Sequence, residues 1–148
     1  MDMSDNEGVV RAMLELANRH DGAAIHAYLA EAMHTVNPAM GASAASRMHA
    51  VQSALMSGFP DLQYRIDRLT FSGDTVVVEC TLSGTHKGAF AGVAPTSKRI
   101  ELPAAFALEI SGGKLKDCRS YFDTLTLMEQ LGAIRAPTAA EAAFTRPV

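Results

Sequence analysis

The stretch SKRIELPAAFALEISGGKLKDCRSYF, residues 97–122, decides the fold class of this 148-residue chain. From Ile100 to Leu108 every second residue is apolar, which is the period of a half-buried β-strand. Gly112-Gly113 predicts a tight turn, and residues 114–122 return as a second strand. The stretch therefore predicts an antiparallel hairpin. Pro103 favours an edge or bulged position in it, because proline cannot donate a backbone hydrogen bond.

Two further strands are predicted before this hairpin. Residues 62–66 alternate between apolar and polar side chains, and the alternation resumes out of phase at Leu69, which predicts a bulge near residues 67–68. Residues 72–74 have the composition of a turn, and residues 75–83 are rich in β-branched side chains. The second half of the chain therefore predicts antiparallel hairpins.

The first half of the chain predicts helices. Residues 4–7 have the form of a capping box, and apolar residues follow at helical spacing as far as Ala17. Asp21 is a favoured cap for a short second helix that turns Ile25 and Leu29 inward. A third helix is predicted from near Ser43 to Gly58.

A short apolar strand over residues 33–36 separates the second helix from the third, and Asn37-Pro38 ends it. Helices followed by antiparallel hairpins are the pattern of an α+β domain. A strongly bent sheet can fold around such helices and leave a cone-shaped cavity between the two layers. Residues 1–135 are predicted to form this domain, with residues 136–148 as a loosely held tail.

Composition excludes several classes of protein. A hydrophobic content of 48% and a charged content of 20% are ordinary for a globular domain. A net charge of −3 gives no argument for binding to nucleic acid or to an anionic membrane. No apolar run approaches the roughly 20 residues that span a bilayer. The spacing of histidines and cysteines predicts no metal site, and Cys80 and Cys118 are expected to be buried, reduced thiols. We therefore expect a soluble, cytoplasmic protein.

Asp123 is the first candidate for a catalytic residue. It follows the last predicted strand, on the face that it would share with Tyr121 and Arg119 in an unbroken alternation. If that face lines the cavity, apolar walls would raise the pKa of Asp123 and make it a base, whereas Arg119 would favour the charged form. The alternative is that Asp123 caps the short helix that follows it.

Histidines and aromatic residues supply the other candidates. His86 ends the strand of residues 75–83 and begins a glycine-rich connection, where it could donate to a substrate carbonyl or shuttle a proton, or simply lie on the surface. His34 and Asn37 stand near the expected mouth of the cavity, although a rim histidine and a turn residue are the simpler interpretations. Tyr28 and Phe59 could line the cavity or pack in the core.

Seven short motifs resemble those of the SnoaL-like polyketide cyclases, which belong to the nuclear transport factor 2-like superfamily. In chain order the motifs are Phe59-Pro60-Asp61, Gly73-Asp74, Gly84-Thr85-His86-x-Gly88-x-Phe90-x-Gly92, Pro95-Thr96-x-Lys98, Gly113-Lys114, Tyr121-x-Asp123 and Gln130-Leu131-Gly132. The resemblance runs from about Asp5 to Ala133 and is densest after Phe59. It departs from the family in the region of residues 34–38, at Ser97 and at Arg119.

The resemblance implies a cone of three N-terminal helices packed on a strongly bent, mostly antiparallel sheet. It also implies a cofactor-free enzyme that closes a ring by intramolecular aldol condensation. In such an enzyme Asp123 would take a proton from a small hydrophobic, polyketide-like carbonyl compound, and His86 would polarise or reprotonate it. The alternatives are a related isomerase or hydroxylase-like enzyme, or a non-catalytic cone that binds an apolar ligand or supports an oligomer. We expect a homodimer or a higher homo-oligomer, because the outer face of the sheet must be covered or polar.

Overall fold

The computed structural model describes residues 3–37, 41–135 and 138, and it describes the side chains of residues 5–28, 51–135 and 138. These residues form four helices and six strands. In chain order they are α1 (Met3–Asn18), α2 (Gly22–His26), β1 (Leu29–Asn37), β2 (Gly41–Ala44), α3 (Ala45–Gly58), β3 (Gln63–Ser72), β4 (Thr75–Thr85), β5 (Arg99–Ser111), β6 (Lys114–Phe122) and α4 (Thr124–Gln130). The tail predicted at residues 136–148 lies, apart from residue 138, outside the described residues.

The six strands form one sheet in the order β2-β1-β6-β5-β4-β3. The pairing of β1 with β6 is parallel, and the other pairings are antiparallel. The prediction of an α+β fold with a curled, mostly antiparallel sheet is confirmed. The short strand β2 was not predicted, because its Gly-Ala-Ser-Ala sequence carries no alternation. Leu29 begins β1 and does not belong to the second helix, so that expectation was wrong.

The helix α1 is held against the sheet at its C-terminal end. Its buried residues Val10, Met13 and Ala17 recur at helical spacing and form one apolar face. The Asn18 side chain binds the backbone of Tyr64 twice: Nδ2 donates to the carbonyl at 3.0 Å, and Oδ1 accepts from the amide at 2.6 Å. This contact fixes the end of α1 beside the start of β3.

Capping determines where α2 begins. The Asp21 side chain accepts a hydrogen bond from the Ala24 amide at 3.0 Å, as the sequence predicted, and Ile25 is buried. None of the helices in the described ranges is both long and apolar enough to cross a bilayer.

A bulge between β3 and β4 and the position of Pro103 in β5 shape the pairing of the strands in this part of the sheet. The pairing of β3 with β4 shifts register between Ile66 and Arg68, which confirms the predicted bulge. Pro103 pairs with Thr81 on β4, whereas the pairing of β5 with β6 extends only as far as Ala104. Pro103 therefore has a neighbouring strand on one side alone, where its missing backbone donor costs no ladder hydrogen bond.

A bulge in β6 decides which side chains face inward. Glu109 pairs with Asp117 but Ile110 pairs with Leu115, so Lys116 is an extra residue on β6. The extra residue reverses the alternation beyond it. Leu115 and Cys118 are both buried although they are three positions apart. The inward face of the second half of β6 is therefore the face opposite to the one predicted.

Candidate functional site

An interior cavity of about 150 Å³ lies between the helices and the sheet. Every helix described and the strands β3 to β6 contribute to its walls. Most of the lining residues are aliphatic or aromatic: Val10, Met13, Leu14, Ala17, Ile25, Val51, Leu55, Val78, Leu82, Ile100, Leu102, Ala104, Phe106, Leu108, Leu115, Phe122 and Leu127. The cavity is therefore suited to an apolar molecule or to an apolar part of one.

Four lining residues carry polar atoms: Gln52, Tyr64, Cys118 and Ser120. Burial, with a smaller contribution from the nearby thiols, raises the pKa of Tyr64 above its ordinary value of 10.0. Its hydroxyl therefore stays protonated and can donate a hydrogen bond. No hydrogen bond joins the Tyr64 hydroxyl or the Gln52 amide to the part of the chain whose side chains are described.

The position of Tyr64 follows from the strand that carries it. Leu62 is fully buried and Ile66 half-buried, and Tyr64 lies between them in the same phase of the alternation. Its ring packs against Phe106 with centroids 6.4 Å apart at 52°. The alternation that predicted β3 therefore contained the signal for this site residue, although the sequence analysis did not single it out.

Both cysteines are free and buried, as predicted. Burial raises the pKa of the Cys118 thiol to about 12, and it raises the pKa of the Cys80 thiol to about 12. At neutral pH both thiols are uncharged, so Cys118 contributes a compact and weakly polar surface to the cavity wall.

Asp123 does not lie in the cavity wall, so the expectation that its carboxylate faces the cavity was wrong. The carboxylate is exposed and caps α4: it accepts from the Leu125 amide at 3.0 Å and from the Thr126 hydroxyl at 2.7 Å. The Thr126 hydroxyl hydrogen bond is the main reason why the pKa of Asp123 lies below its ordinary value of 3.8. An apolar wall would have raised this pKa. The geometry matches the helix-cap alternative.

Replacement of Asp123 tests the two roles. Because Asn caps helices nearly as well as Asp, we expect Asp123→Asn to leave Tm almost unchanged, and Asp123→Ala to lower it by roughly 2–4 °C. The contribution of the carboxylate is fully present above pH 3.8, the ordinary pKa, and is lost as the pH falls through the lowered folded-state pKa. Thermal melts of the wild type, Asp123→Asn and Asp123→Ala between pH 7 and pH 2 measure how Tm depends on this carboxylate. Equal loss of turnover in both variants at unchanged Tm would restore Asp123 as a base.

Arg119 and Tyr121 lie on the outer side of the sheet, contrary to the expectation that they line the cavity. The Arg119 guanidinium pairs with the Asp117 carboxylate at 3.0 Å. Tyr121 is 46% exposed and lines a shallow outer cleft together with Asp123. The bulge at Lys116 explains both positions, since it turns the odd-numbered residues of this segment outward.

His86 is fully buried, but it is not one of the residues that line the cavity. Nδ1 lies 3.0 Å from the Thr96 hydroxyl and 3.2 Å from the Thr96 amide, whereas Nε2 has no partner among the described residues. The ring packs on Phe59, with centroids 5.4 Å apart. His86 is therefore neither the solvated loop residue nor the cavity residue that the sequence analysis considered.

Backbone hydrogen bonds explain why the loop that carries His86 is packed inward. The His86 amide donates to the Lys98 carbonyl at 2.8 Å, and the Ser97 amide donates to the His86 carbonyl at 2.9 Å. The amides of Lys87 and Gly88 both donate to the Gly58 carbonyl, at 3.0 and 3.1 Å. These bonds hold the loop, residues 86–98, against the C-terminal end of α3.

The remaining predicted site residues do not meet in the cavity. Phe59 is fully buried and contacts the rings of His86 and Phe90, and Tyr28 packs at the edge of the core. Neither is a lining residue. The backbone of His34 and Asn37 belongs to β1, where His34 pairs with Asp117, but their side chains lie outside the described part of the chain. Within the described side chains no cluster of histidine, cysteine and carboxylate groups could hold a metal ion.

The family model of SnoaL-like polyketide cyclases matches residues 7–131. No curated protein matches the chain. The match covers α1 through α4 almost completely, and it therefore includes every element that contributes to the cavity wall.

Solved structures share the fold at low sequence identity. AclR from Streptomyces galilaeus, a candidate hydroxylase, is similar with a TM-score of 0.87 and 21% identity, over 96% of this chain and 90% of AclR. IdmH from Streptomyces antibioticus, a candidate polyketide cyclase, has a TM-score of 0.77 and 20% identity, over 86% of this chain and 98% of IdmH. A protein from Catenulispora acidiphila with a ketosteroid isomerase-like fold has a TM-score of 0.70 and 19% identity, over 84% of this chain and 92% of that protein.

These likenesses confirm the predicted cone-shaped α+β fold, which is that of the ketosteroid isomerase-like neighbour. The predicted resemblance in sequence is confirmed by the family model over most of the chain. The protein belongs to the family of SnoaL-like polyketide cyclases.

Proposed function

We propose that the protein binds a small, mainly apolar carbonyl compound of the polyketide type in the interior cavity and promotes its ring closure. One observation carries the proposal: a cavity of about 150 Å³ with apolar walls and few polar groups. Apolar cavities of about this volume are large enough for a single ring such as benzene. The family membership supports the reaction class.

Tyr64 is the residue proposed to orient the carbonyl group. Tyr64 lines the cavity, and its hydroxyl remains protonated and has no partner among the described residues. A hydrogen bond from this hydroxyl to a carbonyl oxygen would stabilise the negative charge that develops there when the neighbouring carbon loses a proton to a solvent water molecule, since no described lining residue offers a base. The apolar walls would hold the reacting carbons close together.

The proposal assigns no proton transfer to Asp123 or His86. Neither side chain lines the cavity, and no described lining residue carries a carboxylate or an imidazole. This favours one alternative, in which the cavity binds an apolar ligand without converting it. A homodimer or a higher homo-oligomer remains a prediction, and analytical ultracentrifugation would measure the oligomeric state.

Two small molecules test the proposal. Acetophenone should perturb the amide resonances of cavity residues such as Val78 and Leu102 in an NMR titration. 2,6-Heptanedione should be converted to 3-methylcyclohex-2-enone, with one new carbon–carbon bond and loss of one water, faster than in buffer alone. Binding without this product would favour the binding-only alternative. An absence of shifts at the cavity residues up to the solubility limit would contradict the proposal itself.

Removing the Tyr64 hydroxyl should weaken the binding only of ligands that carry a carbonyl group. We expect Tyr64→Phe to lower the affinity for acetophenone roughly 2- to 10-fold, which is the range of one hydrogen bond. α-Methylstyrene has the same shape with a methylene group in place of the carbonyl oxygen, and its affinity should not fall. NMR titrations of both proteins with both molecules measure the four affinities. Equal losses for the two molecules would show that the hydroxyl does not bind the carbonyl.

A further inference from the structure

The sheet has a gap beside the first part of β5. The pairing of β6 with β5 ends at Phe122 and Ala104, and the chain then leaves the sheet and begins α4. Residues 99–103 of β5 pair with β4 on one side, but no strand pairs with them on the other side in the described part of the sheet. Pro103, next to the last pair, has no backbone donor. The fold must therefore close this gap without a strand.

The helix α4 closes the gap. Its Gln130 side chain takes the place of a strand: Oε1 accepts from the Glu101 amide and Nε2 donates to the Glu101 carbonyl, both at 2.8 Å. Leu127 and Leu131 of α4 are buried, and Leu127 also lines the interior cavity. The helix therefore covers part of the cavity, and Gln130 ties its C-terminal end to β5.

The interior cavity and the outer cleft approach each other at this gap. Ala104 and Phe122, the last pair between β5 and β6, line both spaces, and Pro103 and Asp123 also line the cleft. A ligand that passes from the cleft to the cavity beside this pair has to displace α4, but it breaks no pairing between strands.

We infer that α4 is a movable cover over an entrance to the cavity, that the outer cleft leads to this entrance, and that Gln130 is the latch. This inference rests on the proposed function. Opening breaks the two hydrogen bonds to Glu101 and moves Leu127 and Leu131 away from the core. Because entry and release use the same opening, the latch sets both rates and leaves the affinity unchanged as long as the closed form predominates.

Removing the latch tests this role. In Gln130→Ala the rate constants for binding and release of acetophenone should both rise at least about 5-fold at an unchanged Kd, because two hydrogen bonds no longer oppose opening. NMR line shapes and relaxation dispersion during a titration give the release rate and Kd, and hence the binding rate. Gln63→Ala is the matched control, because it also removes two hydrogen bonds from a side-chain amide to backbone carbonyls, those of Asn18 and Leu62. Its rates should equal those of the wild type.

Filling the outer cleft should have the opposite effect. Ala105 lines the cleft but not the cavity. Ala105→Phe should slow binding and release by the same factor, at least about 3-fold, at an unchanged Kd. Ala107→Phe is the control, because Ala107 lies two residues further along the same face of β5, where it pairs with Val77 and Arg119 and does not line the cleft.

Hydrogen exchange tests the cover without a ligand. A helix of seven residues is not stable by itself, so its amides exchange with solvent whenever α4 leaves the sheet. The amides of Leu127 and Leu131 should exchange faster than that of Val78 in the central strand β4, and Gln130→Ala should accelerate only the exchange in α4.

Four results would overturn the inference and leave the cavity proposal intact. They are unchanged rates for acetophenone in Gln130→Ala, unchanged rates in Ala105→Phe, faster release in Gln130→Ala without faster binding, and exchange of the Leu127 and Leu131 amides that is as slow as that of Val78. If acetophenone does not bind the wild-type protein, the proposed function fails, and the role of α4 at an entrance fails with it.

Discussion

We expect Ala104→Phe to abolish the binding of acetophenone and to leave the protein folded. Ala104 is 8% exposed, lines the cavity and lies in the middle of the sheet, where it pairs with Cys80 and Phe122. The cavity of about 150 Å³ is large enough for the added phenyl ring. The ring occupies the volume that a ligand needs, and its contacts with the apolar wall keep Tm at or above the wild-type value.

Ala105→Phe is the matched control for this substitution. Ala105 is the next residue on β5, but it faces the outer cleft, where it pairs with Glu79 and Tyr121. The same side chain added there should not change the affinity for acetophenone. NMR titrations and thermal melts of the two variants give both quantities. If Ala104→Phe is folded and still binds acetophenone with the wild-type affinity, the ligand site is not this cavity.

Gly88→Ala has the largest expected effect on stability. A Cβ atom at residue 88 would lie 2.1 Å from the Ser57 carbonyl oxygen and 3.0 Å from its carbonyl carbon. Both are backbone atoms, so no side chain can move aside to make room. The loop must leave the end of α3, and the hydrogen bonds of Lys87 and Gly88 to the Gly58 carbonyl are lost with it.

Overpacking together with two lost hydrogen bonds should lower the free energy of unfolding by about 3 kcal/mol. For a chain of this size, that corresponds to a fall in Tm of roughly 6–12 °C. Gly8→Ala is the control: its Cβ meets no atom within 4 Å and it lies within α1, so it should stabilise the protein by about 0.5–1 kcal/mol. Urea unfolding of the wild type, Gly88→Ala and Gly8→Ala measures these changes in the free energy of unfolding. A loss below about 1 kcal/mol for Gly88→Ala would mean that the loop does not depend on this close contact.

Much of the secondary structure could be read from local patterns. Periodicity predicted α1 and the four strands β3 to β6, and the phase change after Ile66 predicted a bulge that the register confirms. Asp21 was correctly identified as a cap. These features depend on side chains within a few residues of one another, so a short window of sequence contains the information.

The candidate site could be predicted only in part. An apolar cavity between helices and sheet was expected, and the alternation of β3 placed Tyr64 on its inner face. The burial of His86 outside the cavity was not expected, because it depends on residues distant in sequence that cover the ring. For His86 these include Phe59 and the backbone of Lys98.

By itself, the sequence determined the α+β architecture, since alternation, capping and turn residues are local properties that many positions repeat. The family was indicated by the resemblance of its short motifs. The tertiary structure alone decided which face of β6 meets the cavity. Residues 116–123 mix charged, polar and apolar side chains without a clear alternation, so pairing with β5 sets the register and makes Lys116 the bulged residue. A shift of one residue exchanges the two faces of a strand. For that reason Cys118 and Ser120 line the cavity, while Asp123 caps a helix outside it.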